Sequence, residues 1–231
     1  MSAQQATVRA VRPATILALA FAAVVGTRLI PAFFGIWETE APLQWWASRA
    51  SGFLAYVALW IAMILGLMIS ARGLDGVINR KTVLELHQQW TLSAVLAIGL
   101  HVAVIVTDEY VEMSWRGAAI PGESAYLPGP VALGTIGMWG VAVLALSSWL
   151  QRRVGYTTWR VVHASAFGTF VISLVHGWVA GTDSATVGAQ ALYLGTAALL
   201  FGAIVFRILY FPSKPKRAAA KPATAAAGAA D

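Results

Sequence analysis

Long apolar runs, each about the length of a membrane-spanning helix, alternate along the chain with short polar connections. A helix needs about 20 mostly apolar residues to cross the hydrocarbon core of a bilayer. Lipid offers no hydrogen-bond partner to the main chain, which favours helices over open strands. The pattern therefore predicts an all-α membrane protein with six transmembrane helices in a bundle, over Pro13–Phe34, Ala50–Ala71, His87–Thr107, Pro130–Leu150, Trp159–Ala180 and Val187–Tyr210.

The polar stretches divide the chain into a short N-terminal segment of residues 1–12, a membrane domain of residues 13–211 and a tail of residues 212–231. The first apolar run is longer than the core of a signal peptide, so we interpret it as a retained helix. The tail is rich in Ala, Pro and Lys, a composition that predicts disorder. The longest connection, residues 108–129, contains several Pro and Gly residues and is expected to form turns without regular structure.

Basic residues gather on one side of the predicted spans. Of the 16 Lys and Arg residues, all except Arg28, Arg49 and Arg116 lie in the N-terminal segment, in two alternate connections or in the C-terminal region. The positive-inside rule places this side, and both termini, in the cytoplasm. We therefore read the net charge of +6 as a topology signal, with the lipid bilayer as the partner and no nucleic acid.

Composition narrows the chemistry. The chain is 58% hydrophobic and 11% charged, far from the roughly 25% charged residues of soluble domains. It contains no cysteine, which excludes disulfides, thiolate-bound metals and iron–sulfur clusters within the chain.

The four histidines form two spaced pairs within two predicted spans, His87 with His101 and His163 with His176. At about 1.5 Å per residue, spacings of 14 and 13 residues separate the partners by roughly 20 Å along each helix. The third and fifth spans run in the same direction, so His87 should lie level with His163, and His101 with His176. Neutral imidazole is an axial ligand of heme iron, and the arrangement predicts an inner and an outer heme.

The angular positions fit less well on the fifth span. Thirteen residues at 100° each miss the starting face of the helix by about 140°. Either this helix is locally overwound, or it tilts so that the two heme sites lie on different sides of it. Gly168, between the two histidines, is the position we expect to carry such an irregularity.

A proton relay or metal-ion transport is the alternative use of intramembrane histidines. Such pathways are expected to carry acidic residues within the membrane, and the six predicted spans contain neither Asp nor Glu. Asp108, Glu109 and Asp183 lie in outer connections, and we interpret them as solvated loop charges rather than a cation site.

Arginines near the span ends are candidate partners for heme propionates, because guanidinium groups bind carboxylates in a bidentate fork. Arg28 and Arg49 are the outer candidates, and Arg72 and Arg160 the inner ones. Snorkelling and topology marking are the alternative explanation for these four residues.

The histidine spacings and the six-span layout resemble the ferric reductase-like transmembrane domain superfamily. It includes ferric reductases, the membrane part of NADPH oxidases and the heme-binding membrane subunit of the bacterial periplasmic methionine sulfoxide reductase. The resemblance covers roughly residues 13–210. Short stretches that are similar to bacterial members are Ala50-Ser51-Gly52, Trp159-Arg160-Val161-Val162-His163, Val175-His176-Gly177 and Gly181-Thr182-Asp183-Ser184.

The resemblance implies two b-type hemes and electron transfer across the bacterial inner membrane, with His87, His163, His101 and His176 as iron ligands. No Gly-x-Gly-x-x-Gly motif occurs, so we expect no flavin or NAD(P)H site in this chain. Electrons would come from a separate flavoprotein, from quinol or from another membrane subunit, and leave to an outer acceptor. The chain would then be an oxidoreductase component. The alternative is a heme-bearing structural or accessory subunit of a larger membrane complex, without turnover of its own.

Overall fold

The computed structural model describes residues 43–71, 79–108 and 111–210. The predicted span Pro13–Phe34, the N-terminal segment of residues 1–12 and the tail of residues 212–231 lie outside the described residues. Arg28, Arg72 and Glu109 lie outside them as well.

Across these three ranges the chain is helical and contains no β-strand, which confirms the all-α prediction. Five helical segments are long and apolar enough to cross a membrane, with the fifth predicted span formed by two consecutive helices. The helices are α1 (Leu43–Ser70), α2 (Arg80–Val106), α3 (Trp115–Ala119), α4 (Pro128–Trp149), α5 (Gln151–Val154), α6 (Tyr156–Ala164), α7 (Ala166–Ala180) and α8 (Val187–Tyr210).

Helices α1 and α2 each begin seven residues before the apolar run that predicted them. Local hydrogen bonds stabilise the polar residues in their first turns. The Asn79 side chain accepts hydrogen bonds from the main-chain N–H groups of Lys81 and Thr82 and thereby caps α2. In α1, the Ser48 and Ser51 hydroxyls donate to main-chain carbonyls three and four residues earlier. These polar residues therefore extend the helices rather than end them.

The fifth span is interrupted at Ser165, between its two histidines, and not at Gly168, which lies inside α7. The Ser165 N–H donates to the Val162 carbonyl at 3.0 Å, three residues back, as in a tight 3₁₀ turn. Local overwinding of this kind is one of the two explanations that the sequence left open. One such turn adds about 60° of rotation, so it removes only part of the phase difference.

The connection between α2 and α4 is more regular than expected, because it contains the short helix α3. Ser114 caps this helix by accepting a hydrogen bond from the Gly117 N–H at 2.9 Å. Side chains of α4 then bind the end of α3: Thr135 donates to the Ala118 carbonyl and Trp139 to the Ala119 carbonyl. The connection is thereby fastened to the first turns of α4.

The helices pack as two antiparallel pairs, α1 with α2 and α4 with α7, and α1 joins the pairs by contacting α7. Helix α8 lies along α1, where the Tyr56 and Thr196 hydroxyls share a hydrogen bond of 2.5 Å. Large apolar side chains such as Phe201 and Val171 point outward, as expected for a bundle surrounded by lipid. The buried core lies where α1, α7 and α8 meet, around Tyr56, Phe170, Ala189, Tyr193 and Leu200.

The two ends of the bundle differ in charge. We call the end where α2 begins and α6 begins the basic end, and the opposite end the acidic end. The basic end carries Arg80, Lys81, Arg152, Arg153, Arg160 and Arg207, together with Glu85. The acidic end carries Asp108, Glu112, Glu123 and Asp183, together with Arg49 and Arg116.

Candidate functional site

The structure brings the four histidines together as two pairs, one near each end of the bundle. At the basic end, the ring centres of His87 and His163 are 6.2 Å apart, with the ring planes at 73°. At the acidic end, His101 and His176 line one cavity. We call these the basic-end pair and the acidic-end pair. Each pair joins α2 to the α6–α7 span, as the sequence spacing predicted.

His101 shows how a ring is held against a neighbouring helix. Its Nδ1 lies 2.7 Å from the main-chain carbonyl of Ser48 in α1. The ring lies over Gly52, where a Cβ atom would come within 3.1 Å of it. Gly52 is four residues after Ser48, so the two belong to the same helical turn. We call such a carbonyl, with the glycine four residues after it, a seat for the imidazole ring.

The same seat occurs a second time on α1. His87 Nδ1 lies 2.9 Å from the Ala62 carbonyl, and its ring lies over Gly66, four residues later. The two seats on α1 are 14 residues apart, which equals the spacing of the two histidines on α2. Because α1 and α2 are antiparallel and the two seats have the same spacing as the two histidines, one face of α1 receives both rings.

A third seat lies on α4. His176 Nδ1 lies 2.8 Å from the Pro130 carbonyl, and the ring covers Gly134 so closely that a Cβ there would come within 2.5 Å. Gly137 and Gly140 continue this face of α4, and they meet Ser173 and Thr169 of α7. The glycines thus let α4 and α7 approach closely.

His163 has no such seat. Its Nδ1 is buried and has no hydrogen-bond partner among the residues that the structure describes. The ring instead stacks on Trp159 of its own helix, with ring centres 4.8 Å apart. The Trp159 Nε1 donates to the Ser148 hydroxyl at 3.2 Å, which connects α6 to α4.

The seats determine which ring nitrogen carries the proton. A carbonyl can only accept, so each seated Nδ1 must be protonated and donate to it. The opposite nitrogen, Nε2, then keeps its lone pair, the form in which histidine binds a metal. Over the described residues, no group of three or more His, Cys, Asp or Glu side chains gathers at one point.

The acidic-end pair lines a partly open cavity of about 230 Å³. Tyr56, Tyr193 and mostly apolar side chains form its walls. Met113 and Tyr126, from the connection around α3, cover part of it. The cavity is therefore lined by the helices and by the connection that the sequence predicted to be irregular, and it stays partly open.

Asp183 is not a solvated loop charge, in contrast to our interpretation from the sequence. Its side chain is 3% exposed, and it accepts hydrogen bonds from Arg49 at both oxygens, one of them from Nε at 2.6 Å. The Arg49 guanidinium also lies over the Trp46 ring, 4.7 Å from its centre. Asp108 is likewise buried, with 4% exposure. The burial of both carboxylates is a tertiary feature that hydropathy alone does not reveal.

The predicted arginine partners have different surroundings. Arg49 lines the same cavity as His101 and His176, although Asp183 binds its guanidinium. Arg160 is exposed on α6, three residues before His163. Two further arginines stabilise the basic end: Arg80 donates to the Ile69 carbonyl at the end of α1, and Arg207 to the Ser70 hydroxyl.

The glycines under the rings were missed by the sequence reasoning, although a signal for them was present. Gly52 and Gly66 have the same 14-residue spacing as His87 and His101. A search for glycines at the histidine spacing on a neighbouring antiparallel span would have found them. The Pro130 and Gly134 seat has no such duplicate and could be recognised only in the structure.

Comparison with known proteins gives a family without an assigned activity. No curated protein matches the chain. A family described as a domain of unknown function, DUF8596, matches residues 43–183, which include all four histidines, the three seats, Arg49 and Asp183. Because the match covers more than half of the sequence, the chain belongs to the DUF8596 family.

Proposed function

We propose that this protein conducts electrons across a membrane through two b-type hemes, held by His87 with His163 and by His101 with His176. The observation that carries the proposal is the meeting of all four histidines as two pairs at opposite ends of the bundle. In three of the four, the seat leaves Nε2 as the nitrogen that can bind iron.

The residues present fit this cofactor. Metal–imidazole bonds are about 2.0 Å long, so two imidazoles on opposite sides of one metal have ring centres about 6 Å apart. The basic-end pair has this separation, at 6.2 Å. The acidic-end pair borders a mostly apolar cavity, and the three seats fix ring orientation with hydrogen bonds. Glycine under each seated ring leaves space for it against the helix backbone.

Heme iron held by these histidines would supply single-electron chemistry between its ferric and ferrous forms. The chain supplies position and environment for that chemistry. The Ser48, Ala62 and Pro130 carbonyls hold three rings and raise the basicity of their Nε2 atoms. Mostly apolar walls surround the acidic-end pair, and the helices set the distance between the pairs. Arg49, on the cavity wall, remains the candidate propionate partner among the described residues.

We propose the orientation that the positive-inside rule gives, with the basic end in the cytoplasm of a bacterium and the acidic end outside. The segment Pro13–Phe34 would add the sixth span, and both termini would be cytoplasmic. This layout is that of the ferric reductase-like transmembrane domain superfamily, which the sequence resembles. A separate flavoprotein, quinol or membrane subunit would donate electrons at the basic end, and an acceptor outside would take them.

The test is heme content in the purified full-length protein, measured by pyridine hemochrome, with a reductive titration beside it. We expect two hemes per chain, and the loss or spectral change of one heme each in His101→Ala and His163→Ala. Gly99→Ala is the control. Gly99 lies in the same helix as His101, and a Cβ atom on it would meet nothing within 4 Å. Unchanged heme spectra in both histidine variants would refute the ligand assignment.

The same sample separates electron transfer from a structural role. In membrane vesicles, an electron conduit passes electrons from an inner reductant to an impermeant outer oxidant, and His101→Ala should abolish this flow. Two hemes that never exchange electrons across the membrane would favour the accessory-subunit alternative.

A further inference from the structure

We propose that His163 is the one replaceable ligand of the four, so that the basic-end heme opens a binding position for a small neutral ligand of the carbon monoxide class. The inference rests on the proposed function, because it concerns how the chain holds the heme. It adds a ligand-binding site at one end of the bundle.

The first support is the hydrogen bonding of the four rings. His87, His101 and His176 each have Nδ1 between 2.7 and 2.9 Å from a carbonyl of a neighbouring helix. His163 Nδ1 is buried without a partner. A hydrogen bond at Nδ1 orients a metal-binding histidine and raises its basicity, and its loss typically lowers metal affinity about 10–100-fold. Of the four rings, His163 is the one that lacks this support.

The second support is the sequence of α4. Gly140 lies opposite Thr169, and Ser148 binds Trp159, so His163 lies level with the second half of α4. Residues 141–149 contain no glycine. The seat that holds His176 near the start of α4 is therefore not repeated in the part of α4 that lies level with His163.

The third support is the helix that carries His163. Helix α6 has nine residues, none of them buried, and it ends one residue after His163. His176, by contrast, lies within the 15 residues of α7, which buries Thr169 and Phe170. A short, shallowly packed helix before the Ser165 interruption can turn His163 away at less cost than α7 can move His176.

The surroundings select the class of ligand. A neutral diatomic molecule can reach the ring from an apolar environment without losing a hydration shell, whereas an anion must be desolvated even with the exposed Arg160 nearby. In the exchange, the bond from the heme iron to His163 would break and a bond to the carbon of carbon monoxide would form. No electron is transferred, and the histidine remains neutral.

The experiment is stopped-flow mixing of the dithionite-reduced, full-length protein with carbon monoxide, after heme content is measured on the same sample. We expect half of the heme to react in the parent protein, in a slow phase limited by dissociation of His163. In His163→Ala, that phase should become faster by about 10-fold or more, or disappear together with the basic-end heme. In His176→Ala, the slow phase should persist.

The outcomes separate the two proposals. A protein without heme would end both of them. Two hemes that are inert to carbon monoxide would overturn this inference and leave the conduit intact. A slow phase that survives in His163→Ala and is lost in His176→Ala would assign the replaceable ligand to the acidic end and contradict the inference.

Discussion

The acidic-end and basic-end histidine pairs use the same residues and the same two spans, but the protein holds them differently. At the acidic end, both rings are seated, and the cavity beside them lies between α1, α4, α8 and the connection that carries α3. At the basic end, His87 is seated on α1, whereas His163 stacks on Trp159 and has an unpaired Nδ1. Ligand identity therefore does not determine how firmly each ring is fixed.

The difference originates in the two helices that face the histidines. Helix α1 offers equivalent seats at both ends because its glycines repeat at the histidine spacing of α2. Helix α4 offers one seat, and its glycines end at Gly140. The facing span has a 13-residue histidine spacing and an interruption at Ser165, so its two rings cannot meet one continuous face of α4.

The largest expected effect comes from filling the seat at the acidic end. In Gly134→Ala, the new Cβ would lie 2.5 to 2.8 Å from three atoms of the His176 ring, closer than carbon atoms approach. The ring must therefore leave its place, and we expect the acidic-end heme to be lost or to lose its sixth ligand. Pyridine hemochrome and low-temperature optical spectra of the purified variant measure this change.

Gly168→Ala is the matched control, since the substitution lies in α7, eight residues before His176, and meets nothing within 4 Å. The basic-end heme should be retained in both variants. Loss of the basic-end heme alone in Gly134→Ala would show that the two ends are not held independently.

The next effect concerns the buried ion pair at the acidic end. Removing one partner of a buried pair strands the other charge and typically costs about 3–5 kcal/mol. Asp183→Asn should therefore lower the melting temperature of the protein in detergent and perturb the acidic-end heme, while the carbon monoxide phase at the basic end persists. The Arg49 and Asp183 side chains are 10% and 3% exposed, so solvent screens the pair little.

The exposed pair of Arg116 and Glu123 provides the control for that substitution. These side chains are 70% and 45% exposed, and surface pairs contribute about 0–1 kcal/mol. Glu123→Gln should leave the melting temperature nearly unchanged. Equal effects of the two substitutions would mean that burial of the Arg49–Asp183 pair is not what stabilises this end.

Much of this arrangement could be predicted from the sequence. Spans of about 20 apolar residues predict helices because lipid leaves the main chain no other partner. The matched histidine spacings then predict which rings meet, since axial rise is nearly constant along a helix. The pairing of His87 with His163 needed no knowledge of side-chain packing.

The seats, the ion pair and the helix interruption could not be predicted in the same way. A seat depends on the rotation of one helix against another, which hydropathy does not encode. The sequence predicts an exposed Asp183 because this residue lies between two spans, yet Arg49, distant in sequence, is close to it in space. The interruption falls at Ser165 rather than at Gly168. A main-chain hydrogen bond from Ser165 to Val162 forms the tight turn, and a small side chain is not required for it.

The smallest expected effect comes from filling the seat of His87. A Cβ on Gly66 would lie 3.5 Å from the His87 ring, which is ordinary van der Waals contact, whereas the clash at Gly134 is an ångström closer. Gly66→Ala should therefore keep both hemes and slightly stabilise α1, because alanine is favoured over glycine inside a helix by about 1 kcal/mol. Heme content and melting temperature measured beside Gly134→Ala make the comparison direct. Gly66→Ala could also remove the basic-end heme as completely as Gly134→Ala removes the acidic-end heme. In that case a seat would require glycine itself, whatever the distance from its Cβ position to the ring. The contrast between the two ends would then have to be explained by α4 alone.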